Sequence, residues 1–285
     1  MGRFINPFTD MGFKHLFGEE ASKSILIDFL NDLLEGEREV KDIKYLKTET
    51  LPEFAFGRGV IFDVLCTGNT GEQFIVELQN RSQLYVKDRF LYYMARAIDK
   101  QGVKGRDWNF SLCPVYGIFL LNFVLPPVPR LRTDIALMDM DTGEQFSDRM
   151  RMIFLQLPLF CKEEEACETN LDKWFYILTR MDTLERMPWK AQKAAFEKLM
   201  ERAETANFTP EEQARYEAQL DAYRVMNSAM EKSKQEGKEE GKEEGIREGE
   251  KKKALEIALA LKQRGLDVVS IAEISGLSVT EIENL

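Results

Sequence analysis

The sequence predicts a helix-first, mixed α/β domain with a central sheet, followed by a wholly helical C-terminal region. Three observations predict it. Residues 60–79 read as two apolar strands around the turn GNTG (68–71), a composition suited to positive φ. PVYGIFLLNFVL (114–125) is a continuous apolar run of strand type, which suits a strand covered on both faces. After about residue 162 the apolar patterns all have helical spacing.

The elements follow in order. DMGFKHLF (10–17) and EASKSILIDFLNDLLE (20–35) place Phe13, Leu16 and Phe17, then Ile25, Leu26, Phe29, Leu30 and Leu33, at helical intervals. Gly18 separates the two pieces and Gly36 stands where a helix stop belongs. Residues 40–50 suit an edge strand, and the hairpin comes next. An amphipathic helix is expected from about 84 to 101. PPVPR (126–130) ends the long apolar run. A second hairpin then reads TDIALMDM, DTGE, QFSDRMRMIFLQLP, turning at Asp141-Thr142-Gly143. Beyond it KWFYILTRM, AFEKLMERA and EEQARYEAQLDAYRVM are helical in spacing, and Thr209 precedes Pro210 as a helix cap.

QEGKEEGKEEGIREGEKKK (235–253) sets glycines four apart. Glu–Lys pairs favour helix there and each glycine costs about 1 kcal/mol against alanine. The segment reads as a linker or a marginal helix, with a glycine seam between two helices as the alternative. IAEISGLSVTEI (271–282) looks like the core of a helix-turn-helix, yet its second helix carries Glu281 and Glu283 and no Lys or Arg, a poor surface for phosphates. A small helical cap or dimerisation element suits it better. The expected organisation is a core over 1–165, a helical extension over 166–232, the Glu/Gly/Lys-rich segment over 233–253 and a helical tail over 254–285.

Composition excludes several classes. Cys66, Cys113, Cys161 and Cys167 form no C-x-x-C pair and His15 is the sole histidine, so a zinc site is not expected. Unpaired cysteines suit a reducing cytosol. The longest apolar stretch, 115–125, falls short of the roughly 20 residues a bilayer needs, and no signal peptide opens the chain. A cytoplasmic protein without a membrane span is expected. The net charge of −10 argues against a general nucleic-acid coat. Between Arg81 and Arg106, however, seven positive residues (Arg81, Lys87, Arg89, Arg96, Lys100, Lys104, Arg106) face two negative ones, leaving +5. That is either a solvated helix face or the footprint of a phosphate-binding surface.

The first hairpin carries acids where core residues are expected. With a turn centred near residue 70, Asp63 lies opposite Glu77, and Gln79 shares their face. Opposed side chains have Cβ atoms about 4.5–5.5 Å apart. Two carboxylates held so close share a proton or bind a cation, and hard oxygen ligands completed by water and phosphate describe a magnesium site. The alternative is a pair of acids exposed to solvent or matched by a nearby arginine. A slip of one residue in register would put them on opposite faces.

Asp63, then Glu77-Leu78-Gln79 on the following strand, resembles the PD-(D/E)XK nuclease superfamily in its variant with glutamine at the lysine position. The flanks FTDMGFKHLFGEEASKSILIDFLNDLL (8–34), FDVLCTGNTGEQFIVELQN (62–80), DRFLYYMARA (88–97) and PVYGIFLLNF (114–123) are similar to the Rpn group of recombination-promoting nucleases and transposases. The resemblance covers nearly the whole chain. It implies a restriction-endonuclease-like core with a mixed sheet flanked by helices. The implied activity is metal-dependent DNA endonuclease chemistry in recombination or mobile-element biology, with DNA as partner. Asp63 and Glu77 would hold Mg²⁺, with Mn²⁺ able to substitute, and Gln79 would complete the catalytic set. Glu20 falls where related nucleases place a further metal-proximal acid, or else is an exposed acid at a helix start. A neutral glutamine orients by hydrogen bonds alone, so either the metal does more of the electrostatic work or a cation from the next helix substitutes for the lysine. Lys87 and Arg89 are the candidates, and Arg96 joins them in the expected DNA-binding set.

Two other readings stay open. One is a non-catalytic DNA-binding or assembly protein on the same fold, supported by Gln79 and the acidic net charge. The other is a regulator acting through the C-terminal helices. A homodimer is compatible with a single site that cuts one strand and with helical tails that pair.

Overall fold

The computed structural model describes residues 2–50, 60–103, 108–127, 129–189 and 192–285. Lys104 and Arg106 of the basic segment lie outside the described residues, as does Val128 of PPVPR. The chain divides into two compact units, residues 1–220 and 221–285.

The first unit is mixed α/β. It opens with α1 (Asp10–Phe17) and α2 (Lys23–Leu33), joined through Gly18 and a 3-10 turn over Glu20–Ser22. Thr9 caps α1 through its hydroxyl, which accepts from the Gly12 N–H. Glycine is required at position 12, because a Cβ there would sit 2.2 Å from the Asn6 carbonyl oxygen. The strands follow as β1 (Ile43–Tyr45), β2 (Glu49–Thr50), β3 (Val60–Ile61), β4 (Val64–Gly68) and β5 (Gln73–Gln79). Next come α3 (Val86–Asp99), β6 (Val115–Leu121), β7 (Arg132–Met138) and β8 (Gln145–Gln156). The helices α4 (Asn170–Arg180) and α5 (Ala194–Ala203) complete the unit with the start of α6 (Pro210–Gln263).

Six strands form one sheet in the order β1-β4-β5-β6-β8-β7, and β2 pairs with β3 apart from it. β5, β6 and β8 are mutually parallel, while β1–β4, β4–β5 and β7–β8 are antiparallel. β6 is central and six of its seven residues are buried, as a strand covered on both faces requires. Alternation sends Leu65, Ile75, Phe119, Leu121, Met152 and Phe154 to one face, where Phe90, Tyr93, Met94 and Ala97 of α3 pack on them. α3 approaches closely at Gly117, where a Cβ would meet Met94 Sδ at 2.5 Å. At the two ends of the sheet, the Tyr45 hydroxyl donates to the Phe17 carbonyl and Arg132 donates to the Leu33 carbonyl, tying in the α1–α2 layer.

The second unit holds the rest of α6 with α7 (Val268–Ser275) and α8 (Val279–Glu283). Residues 235–253 are helical, so the glycine penalties are met by pairs such as Lys232–Glu236 along the helix. A Cβ on any of Gly237, Gly241, Gly245 or Gly249 would meet nothing within 4 Å in the described chain. Gly276 takes the left-handed conformation (φ 72°) between α7 and α8, and Ser278 with Glu281 forms a capping box. Ala258, Ile271, Leu277 and Ile282 make this unit's small core. No described helix is long and apolar enough to cross a membrane.

Candidate active site

The observed register pairs Val64 with Val76 and Leu65 with Ile75. Asp63 stands one residue before the first of these pairs, so it reaches the level of Glu77. The two acids interlock through the backbone. Glu77 Oε1 accepts the Asp63 N–H at 2.9 Å, and Asp63 Oδ2 accepts the Leu78 N–H at 3.0 Å. Glu77 is 2% exposed and Asp63 is half-buried. Burial pushes the Glu77 carboxyl well above the usual carboxylate range, and the Asp63 charge pushes it further. Burial likewise raises Asp63, opposed by the Leu78 N–H. Neither Asp63 Oδ1 nor Glu77 Oε2 meets a donor among the described residues.

Two cations act on the pair. Lys14 of α1 and Arg89 of α3 both pull the carboxyls of Asp63 and Glu77 down. Arg89 is fixed by a 3.0 Å bond from Nε to the Tyr93 hydroxyl, and its guanidinium lies over that ring, 5.1 Å from the centroid. Lys14 is held 2.7 Å from Asp10 one turn earlier. α1 reaches this end of the sheet because Asn80, just after β5, donates to the Phe8 carbonyl, while the Asn122 N–H donates to the Gln79 carbonyl.

The other expected residues are placed as follows. Gln79 is half-buried, its amide donating to the Arg81 carbonyl at 3.3 Å. Lys87 is exposed and donates to the Pro126 carbonyl. Arg96 pairs with Asp99, two turns of α3 beyond Arg89. Glu20 lies in the 3-10 turn with its side chain 77% exposed and 3.6 Å from Lys23. Asp10 is a further acid whose charge acts on Asp63. Sequence reasoning missed Asp10 and Lys14. A signal existed: Asp10 and Lys14 stand one helical turn apart in DMGFKHLF, and in the structure Lys14 is the one residue from Met11 to Phe17 that is not buried.

A family model described as PD-(D/E)XK nuclease family transposase matches residues 7–233. The chain belongs to this family. No curated protein and no solved structure matches it. Membership makes phosphodiester hydrolysis and DNA the family's chemistry and partner, and nucleases of this family typically use a divalent metal. Among the described residues no three His, Cys, Asp or Glu side chains converge on one point. The donors present still fit a hard cation. They are a buried and a half-buried carboxylate, each with an oxygen lacking a donor, whose mutual repulsion a divalent ion would relieve.

Proposed function

We propose that this chain is a Mg²⁺-dependent DNA endonuclease, with Mn²⁺ able to substitute, that promotes recombination or the movement of mobile elements. The observation that carries this reading is the pairing of Asp63 and Glu77. Holding a buried and a half-buried carboxylate side by side works against stability, since the two repel and burying charge is expensive. Asp63 and Glu77 would hold the ion through Asp63 Oδ1 and Glu77 Oε2, while their remaining oxygens stay on backbone N–H groups. When bound, the ion would acidify a water and neutralise charge on the scissile phosphate. Gln79 orients water or phosphate through its amide. Arg89 and Lys14 supply the positive charge that the family's lysine would otherwise bring. Lys87 and Arg96, on the same helix as Arg89, serve the DNA backbone.

The test is plasmid nicking in Mg²⁺ by the parent chain and by Asp63→Ala. Nicking is expected from the parent alone. Equal nicking by both would overturn the site. The neutral Gln79 favours one rival, a non-catalytic DNA-binding protein, and salt-sensitive DNA binding without cleavage in any divalent metal would establish it.

A further inference from the structure

A cleft of about 510 Å³ opens on the far side of α3 from the acid pair, within the range of ligand sites, about 300–1,000 Å³. Its walls are apolar, with Leu91 of α3 facing Ile135, Met152 and Phe154 of the sheet and Pro126 at one end. The polar groups are few and placed apart. Thr133 Oγ1 is buried in the lining without a hydrogen-bond partner, an uncommon state for a buried hydroxyl. Lys87 and the exposed Arg130 are its two cations, and Arg130 makes no ion pair among the described residues. A ligand matching this cleft has a flat apolar body, a hydrogen-bonding edge and a neighbouring anionic group.

The cleft is also linked along the chain to the strand that carries Glu77. A second recess of about 310 Å³ shares Lys87, Leu125 and Pro126 with it and is lined by Ser82, Gln83 and Tyr85. Those three residues belong to the loop that leaves β5 directly after Glu77 and Gln79. Leu84 and Tyr85 of this loop are 87% and 68% exposed, and apolar surface of this kind marks contact with a partner. A Tyr ring so exposed is a stacking platform for a base. The loop thus joins the end of the strand that carries Glu77 to the recess beside the cleft.

We propose that the cleft holds an unpaired nucleobase of the DNA strand whose backbone passes Asp63 and Glu77, an inference that rests on the nuclease reading above. The base lies between Leu91 and Ile135 with its polar edge toward Thr133, and the adjoining phosphate meets Lys87 and Arg130. A paired base cannot enter without leaving its stack. The substrate class is thus single-stranded DNA, or duplex with an unpaired segment.

Binding of a labelled oligonucleotide to the full chain in EDTA tests this, with the same sequence offered as single strand, as bubble-containing duplex and as perfect duplex. The unpaired forms are expected to bind about tenfold tighter, the scale of one accommodated base. Ile135→Trp and Leu91→Trp fill the cleft from opposite walls and should cut that ratio to about twofold or less. An unfolding midpoint near the parent's shows that each variant is folded. A filled variant that keeps the parent's ratio overturns the proposal, as does a parent with no preference. So does a filled variant whose oligomeric state changes in place of the ratio, which would make the cleft a protein interface. Intact preference with no cleavage in any divalent metal overturns the nuclease reading alone, and cleavage that ignores Asp63→Ala overturns the acid-pair site. Asp63-dependent cleavage without preference overturns the cleft alone.

Discussion

Replacing Glu77 by glutamine should make the metal-free protein more stable while abolishing cleavage. The amide keeps the oxygen that accepts the Asp63 N–H and removes a buried charge beside Asp63. At a separation of roughly 5 Å and an effective dielectric of about 20, two full charges repel by about 3 kcal/mol. The pair sheds part of this by holding a proton, so a gain of about 1–2 kcal/mol is expected at pH 7.5, or roughly 3–6 °C in midpoint. The pH dependence has a definite sign. Unfolded Glu77 loses its proton near its ordinary value of 4.5, while the folded carboxyl keeps it to higher pH. Between those limits the folded state binds more protons, so stability falls as pH rises through that window. At pH 5 the advantage of the variant should shrink to about 0.5 kcal/mol or less. Denaturant unfolding of both proteins in EDTA at the two pH values measures this. Adding Mg²⁺ should stabilise the parent and not the variant. A variant less stable than the parent by the same amount at both pH values would refute the reasoning, because the charge of Glu77 would then be favourable without a metal.

Arg89→Met and Lys14→Met should each lower the cleavage rate by about 10²-fold. Each should also move the acid limb of the pH–rate profile upward, since both cations hold the carboxyls of Asp63 and Glu77 down; an unmoved limb would remove that residue from the site. For the divalent ion itself, calorimetric titration with Mn²⁺ should find Glu20→Gln within about twofold of the parent. Asp10→Asn, which removes the charge acting on Asp63, should weaken binding about fivefold, as one partly exposed charge would; the reverse ranking would return Glu20 to the metal. In the helical layer, Lys193 Nζ lies 2.6 Å from Asp28 and also pairs with Asp32, so Lys193→Met should cost on the order of 3 kcal/mol in urea unfolding by stranding two acids.

Much of this fold is legible in the sequence because strand periodicity and turn chemistry agree. The GNTG turn and the alternation of 61–79 specify a pairing in which partner numbers sum to 140, and the observed Val64–Val76 and Leu65–Ile75 pairs keep that register. What could not be read is contact across the sheet. Asp10 and Lys14 lie more than 45 residues before Asp63, and the bond from Asn80 to the Phe8 carbonyl brings the start of α1 to the end of β5. Local pattern contains no trace of such bonds.

α3 raises a subtler case. Its amphipathic pattern shows that Phe90, Tyr93, Met94 and Ala97 face the sheet, and leaves two polar flanks of similar composition. Lys87 and Arg89 are two residues apart, so they project about 200° from one another around the helix. Which flank meets the acids depends on the strands beneath the helix, and that is set by Met94 and Phe90 seating over Gly117 and Phe119 of the central strand. With the axis there, Arg89 and Tyr93 turn toward β5 and the acid pair, while Lys87 and Leu91 turn toward β8 and line the cleft. The two cations weighed as equivalent substitutes for the missing lysine therefore belong to different sites. On the proposed reading Arg89 would bear on the reacting phosphate and Lys87 on the nucleotide beside it. One helix packed over one glycine would then couple where the strand is cut to which strand can enter.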